Sequence, residues 1–368
     1  MSDFLIKNKK NIFIFLIFIT LASFADTVRK GLINGCDFQW QPAVLFWEGI
    51  NHYQKFITNK TSDFLCQGGE YGHLFHVILY PYTLVKWEVA RALWVATNVI
   101  FSLAIPLMIC RGLNLSKYKT LLLLLIFLTC YPTRMTINYG QQSLFVLFFL
   151  ILPFVYKGKM FSFLSGFASI KYSTGYIIYL DYLVKKQFTK FFLATIPYLL
   201  GWLIYALYTD SHIIINFFEP LDWSLNYKQY TRDADIYSLI QMYLINNSQN
   251  YLKYFSIILI FLLNFFFLIK INQLSDNYLK MSLVLICPLI FFPHSNYDYV
   301  LLFPLACYSI KNFETLLNKV NFYFVIYFFF LSRQIKHLLD IDWLYQPFLL
   351  FFIIIIIYFN IKYNFKKN

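Results

Sequence analysis

The sequence predicts an all-α protein, a polytopic transmembrane helical bundle with about ten to twelve spans. Three observations predict it. Charged residues make up only 13% of the 368 residues, against about 25% in soluble domains, so lipid must cover much of the surface. Hydrophobic residues reach 59% and the mean hydropathy is +0.57. Apolar runs recur along the whole chain and are separated by short polar segments, many of them basic, the pattern of membrane spans and their loops. The 43 Phe and 30 Tyr suit a lipid-facing surface bounded by aromatic belts.

The elements follow in order. Lys7, Lys9 and Lys10 precede an apolar run from Ile12 to Ala25. Ser23 and Ala25 resemble a signal-peptide cleavage site, but the many later runs favour an uncleaved first span. Further spans are expected at 89–110, 120–135, 141–156, 160–170, 172–184, 188–209, 251–269, 279–293, 299–310, 320–334 and 346–361. Several fall short of the roughly 20 residues that a perpendicular helix needs. Short spans interrupted by Gly or Pro usually line a cavity.

With the N-terminus inside, more than half of the 31 Lys and Arg fall on inner loops, accompanied only by Asp3, Asp181, Asp276 and Glu314. That asymmetry satisfies the positive-inside rule and puts both termini in the cytoplasm. The outer polar mass is then residues 26–88 and 210–250 of a single membrane domain, 1–368. Neither segment is large enough for its own core, so both read as interfacial helices and loops. The net charge of +13 belongs to these loops rather than to a basic domain, which excludes nucleic acid as a partner. Cys36 and Cys66 share the first outer loop and can pair in an oxidising compartment. The other four cysteines lie in or beside apolar runs.

Six polar groups are candidates for chemistry. Asp37 starts a stretch expected to be helical to about Phe56, with Asp37, Gln41, Glu48 and His52 on one face; a carboxylate held there can act as general base. Arg134 through Gln142 form a polar turn in which Gly140 suits the bend, and Asn138, Gln141 and Gln142 can bind a polar ligand. Lys171 lies between two short apolar segments, where an ammonium is a functional candidate and its natural partner is an anion such as a lipid phosphate. His294 and Asp298 share another polar turn. His73 and His76 have ligand-like spacing, but lack a carboxylate or Cys complement, so no metal site is expected. Asp222 beside Trp223, and Asp233 with Asp235, in the second loop could meet a sugar or a cation, although exposed loop carboxylates usually do neither. No G-x-x-x-x-G-K-[ST], G-x-S-x-G or H-E-x-x-H occurs, which argues against an ATP-driven pump, a serine hydrolase and a zinc protease.

Taken in order, Cys36-Asp37-Phe38, Trp47 through Tyr53, Tyr80-Pro81 with Ala92-Leu93-Trp94, Asn138 through Gln141, Gly166 through Lys171 and His294 through Asp298 resemble the GT-C glycosyltransferases. The resemblance is closest to glycosyltransferase family 87, the polyprenyl-phosphate-mannose-dependent mannosyltransferases. His52 and Tyr172 stand where family members often have Pro. The resemblance implies a GT-C-like bundle in a bacterial inner membrane. It implies inverting transfer of mannose, or another hexose or pentose, from a polyprenyl-phosphate donor to a lipid- or glycan-linked acceptor on the outer face. Asp37 would be the catalytic base. Lys171, Arg134 and His294 would bind the donor phosphate, and Asn138, Gln141, Asp298, Glu48 and His52 the sugar or acceptor. No cofactor is implied, and any metal dependence is weak. A transporter or flippase and a polysaccharide polymerase share the intramembrane polar turns, but a transporter places its ionisable groups at the midplane, whereas here they gather at the outer ends.

Overall fold

The computed structural model describes residues 9–36, 38–58, 71–227, 235–244, 250–332, 334 and 342–365. Every regular element among them is helical. The first, α1 (Lys9–Asn34), is followed by short helices α2 (Trp40–Trp47), α3 (His52–Thr58), α4 (His73–Ile78) and α5 (Tyr80–Thr83). The continuous helix expected from 37 to 56 is therefore split. Gly49 takes φ +79°, and the Ile50 N–H donates to the Leu45 carbonyl at 2.9 Å, a glycine helix stop. Glu48 caps α2 and His52 opens α3, so the two do not share one helical face.

Next come α6 (Trp87–Gly112), α7 (Lys117–Thr129), α8 (Tyr131–Tyr139) and α9 (Ser143–Val155). Helices α7 and α8 bend by 51° at their junction. Pro132 causes the bend, because it has no N–H to donate and its ring crowds the preceding turn. Helix α8 ends at Gly140 with φ +72°, as expected for that turn.

The runs expected at 160–170 and 172–184 are broken into α10 (Lys159–Ser165), a 3-10 turn (Gly166–Ile170), α11 (Tyr172–Gly175) and α12 (Ile177–Val184). Lys171 sits at the break. The chain continues through α13 (Phe188–Tyr208), α14 (Ile213–Tyr227), α15 (Ile236–Leu244), α16 (Asn250–Asn272) and α17 (Asn277–Phe291). It closes with a 3-10 helix (Asn296–Leu302), α18 (Phe303–Lys311), α19 (Leu316–Ile326) and α20 (Asp342–Phe365).

Among the described residues three stretches are long and apolar enough to cross a bilayer singly, Trp87–Gly112, Phe188–Tyr208 and Tyr254–Asn272, and the bent α7–α8 pair, taken as one span, makes a fourth. Four shorter apolar helices accompany them, so the expected crossings are not all single straight helices. Exposed side chains on α6 (Val89, Leu93, Ile100, Leu103, Leu107), α13 (Phe192, Leu199, Leu203, Leu207) and α16 (Phe255, Ile258, Leu262, Phe266) form apolar stripes. Stripes at helical spacing with no protein over them face lipid. Helix α17 is instead buried along almost its whole length and forms the centre of the bundle. Asn321 and Asn360 exchange two 2.9 Å hydrogen bonds between α19 and α20, the kind of polar tie that holds helices in lipid.

Candidate functional site

The polar turns found in the sequence meet through hydrogen bonds. The Gly72 N–H donates to the Ile170 carbonyl at 3.0 Å, which joins the first loop to the break before Lys171. The Tyr71 hydroxyl donates to Gln141 Oε1 at 3.1 Å. Trp94 Nε1 donates to the Gly140 carbonyl at 2.8 Å, and Asn98 Nδ2 to the Gln141 carbonyl at 3.2 Å. Two elements thus pin the turn after α8.

Two residues on, Ser143 donates to Asp298. Lys171 Nζ reaches both oxygens of the same carboxylate, at 2.6 and 2.7 Å, and the Ser295 N–H donates to Oδ2 at 3.0 Å. The side chains of this pair are only 12% and 2% exposed. The anion on Lys171 in this structure is therefore Asp298. Burial alone would raise the Asp298 pKa, but the Lys171 charge and these donors hold it below the usual carboxylate value. Lys171 also lies 4.8 Å from the centre of the Tyr297 ring.

His294 is buried beside this pair. Loss of solvation drives its pKa down to about 4, so it is neutral at pH 7. Its Nδ1 lies 3.2 Å from the Phe292 carbonyl, a partner that assigns the proton to Nδ1. Nε2 has no partner among the described residues and is left there as a bare acceptor.

The other expected residues divide. The Asn138 side-chain oxygen is buried without a partner among the described residues. Arg134 Nε donates to Thr27 of α1 at 3.2 Å. Glu48 is exposed. His52 belongs to a second cluster, where its Nδ1 lies 2.7 Å from the Tyr205 hydroxyl and its ring centre 4.2 Å from that of His76. The backbones of Asn216 and Tyr71 stand near His73 and His76 respectively. Neither ring of these two histidines has a nitrogen in hydrogen-bond geometry with a described residue. Burial lowers all three imidazoles well below 6.5, His76 to about 3. The Tyr53 hydroxyl bonds the Tyr71 carbonyl, so the two clusters touch through Tyr71.

Asp37, Cys66 and Asp233 lie outside the described residues, as do the side chains of Asp222 and Trp223. The flanks of Asp37 are described. Phe38 stacks on Trp87 and Trp94 with ring centres 5.3 and 5.6 Å away, and α1 packs so closely on α8 that a Cβ on Gly31 would lie 2.7 Å from the Ile137 carbonyl. Cys36 is disulfide-bonded. Asp235 caps α15, accepting from Ser238 N at 2.7 Å and Ser238 Oγ at 2.6 Å. Among the described residues no group of three or more His, Cys, Asp or Glu can hold a metal ion.

Sequence reasoning missed Tyr71, Ser143, Tyr205 and Glu219. Glu219 alone left a signal, since Asn216 and Glu219 are one turn apart in the otherwise apolar stretch Ile213 to Phe218 and its neighbours.

No curated protein and no solved structure matches the chain. A family model does: that of glycosyltransferase family 87 matches residues 71–293, a stretch holding the Tyr71, Asn138–Ser143 and Lys171 groups but not Asp37 or the 294–298 turn. The match covers more than half of a helical membrane chain, and the protein belongs to glycosyltransferase family 87.

Proposed function

We propose that this membrane glycosyltransferase uses a polyprenyl-phosphate sugar as donor and a lipid- or glycan-linked hydroxyl as acceptor, and works on the outer face of a bacterial inner membrane. The carrying observation is the buried Lys171–Asp298 pair, hydrogen-bonded to the turn after α8. It puts a cation with an exchangeable anionic partner among unpartnered polar atoms. The disulfide at Cys36 supports an outward-facing first loop, because disulfides persist in oxidising compartments. The basic inner loops support the same orientation and cytoplasmic termini.

In this reading Asp37 removes the proton of the acceptor hydroxyl. The acceptor oxygen forms its bond to the anomeric carbon as the bond from that carbon to the phosphate oxygen breaks. Configuration inverts, and the electron pair leaves on polyprenyl phosphate. Lys171 turns from Asp298 toward the phosphate and stabilises the charge that develops there. His294 is neutral, so it adds no positive charge; its bare Nε2 accepts a hydroxyl of the sugar. Asn138 and Gln141 hold further hydroxyls. Arg134, tied to α1, and Glu48, exposed at the end of α2, serve at the edges of the site, and His52 acts through the outer histidine cluster.

The test is transfer by purified protein from a panel of polyprenyl-phosphate sugars, mannose first. Wild type should transfer one of them, and Asp37→Asn should lose at least 100-fold in kcat while remaining folded in the membrane. Full transfer by Asp37→Asn would refute the assignment of the base. Sugar transfer from a nucleotide sugar alone would refute the donor.

A further inference from the structure

The first loop and α14 meet around a carboxylate that the Lys171 pair does not use. Asn51 Nδ2 donates to both oxygens of Glu219, at 3.0 and 2.9 Å. Gln54 Nε2 donates to Oε1 at 3.0 Å, and Asn216 Nδ2 to Oε2 at 2.9 Å. All these donors are neutral amides. No Lys, Arg or His among the described residues pairs with Glu219, and the residue is half-buried.

A second observation is independent of those bonds. Asn216 is fully buried, and its side-chain oxygen has no hydrogen-bond partner among the described residues. Its Nδ2 bond to Glu219 holds that amide in the cluster. A buried acceptor without a donor is costly, so this oxygen calls for a hydroxyl.

An aromatic surface lies alongside. The Trp47 ring centre is 4.4 Å from that of Tyr80 and 5.0 Å from that of Tyr208. Tyr80 and Tyr208 are 44% and 51% exposed. Ser211, three residues beyond Tyr208, accepts from the same Asn51 Nδ2 at 3.3 Å. The α13–α14 connection therefore carries both the aromatic shelf and the carboxylate–amide set.

We propose that Glu219, Asn51, Asn216 and the Trp47–Tyr208 shelf form a subsite for a neutral sugar ring of the acceptor; this rests on the transfer reading above. A sugar presents two surfaces. Its hydroxyls donate to carboxylate oxygens and accept from amide N–H groups, and its C–H face packs on an aromatic ring. An anionic group is disfavoured, because Glu219 is negative and no cation among the described residues pairs with it. The two polar clusters thus separate the substrates by charge: the phosphate of the donor goes to Lys171, and the uncharged glycan to Glu219.

The experiment uses the full chain in lipid nanodiscs. Methyl α-D-mannopyranoside is titrated by saturation-transfer difference NMR, and undecaprenyl phosphate by microscale thermophoresis. Glu219→Gln keeps the shape and removes the charge, and Tyr208→Ala removes an exposed ring without touching the amides. Each should weaken glycoside binding at least tenfold and leave undecaprenyl-phosphate binding within twofold. Undiminished glycoside binding in both variants would overturn the proposal, as would no glycoside binding by wild type. Equal loss of both ligands in both variants would also overturn it, since it would make the cluster a structural clamp. Variant-sensitive glycoside binding without any undecaprenyl-phosphate binding would support the subsite and refute the donor reading instead.

Discussion

Lys171→Met tests the centre of the site most directly. Asp298 has four contacts: two from Lys171 Nζ at 2.6 and 2.7 Å, one from Ser143 and one from the Ser295 N–H. The change removes the first two and, among the described residues, the one paired charge of opposite sign, leaving a carboxylate with a 2% exposed side chain on two neutral donors. Hydrogen bonds to charged groups contribute about 1.5–3 kcal/mol each, so two of them amount to about 3–6 kcal/mol. Breaking a buried pair on one side costs about 3–5 kcal/mol by direct precedent, and protonation of the stranded carboxylate caps the loss near that figure. The double variant Lys171→Met/Asp298→Leu removes both charges and should return to within about 2 kcal/mol of wild type, the remainder being the lost cap at Ser295. The assay is equilibrium unfolding in mixed micelles, arranged as a double-mutant cycle. A single-variant cost under about 1 kcal/mol, or a coupling near zero, would refute the reasoning that this pair is buried and interdependent.

Further outcomes follow from other parts of the fold. The cluster of His52, His73 and His76 should make the protein acid-labile. His76 is neutral in the folded state, with a pKa of about 3 against 6.5 when unfolded, so its contribution is intact above pH 6.5 and is lost as pH falls toward 3. At pH 5 this one residue should cost about 2 kcal/mol relative to pH 7. His52 and His73 act in the same direction. Thermal unfolding of His76→Asn should show a shallower acid limb, and an unchanged limb would count against burial as the cause. Asn321→Leu strands the Asn360 amide between α19 and α20 and should lower stability by about 0.5–2 kcal/mol, measured by unfolding in micelles. Asn321→Leu/Asn360→Leu should recover much of it. Asp37→Asn should abolish sugar transfer without altering expression or membrane insertion, as followed by activity and size-exclusion profiles.

The sequence by itself determined the solvent. Charge scarcity and recurring apolar runs require lipid around α6, α13 and α16, because those properties are summed over residues and do not depend on partners. It also determined features encoded within a few residues. Gly140 ends α8 with positive φ, and Lys171 falls at a break between short helices. Other features depended on which distant segments pack together. Gly49 stops α2, which separates Glu48 from His52 where periodicity alone joins them. Lys171 meets Asp298 across 127 residues, His52 meets Tyr205 across 153, and Asn51 meets Glu219 across 168. A carboxylate reads the same in the sequence whether it ends beside a cation or among amides. Only the packing of α14 against the first loop, and of the 294–298 turn against α9 and the Lys171 break, decided that Asp298 sits beside a cation while Glu219, among the described residues, sits among amides.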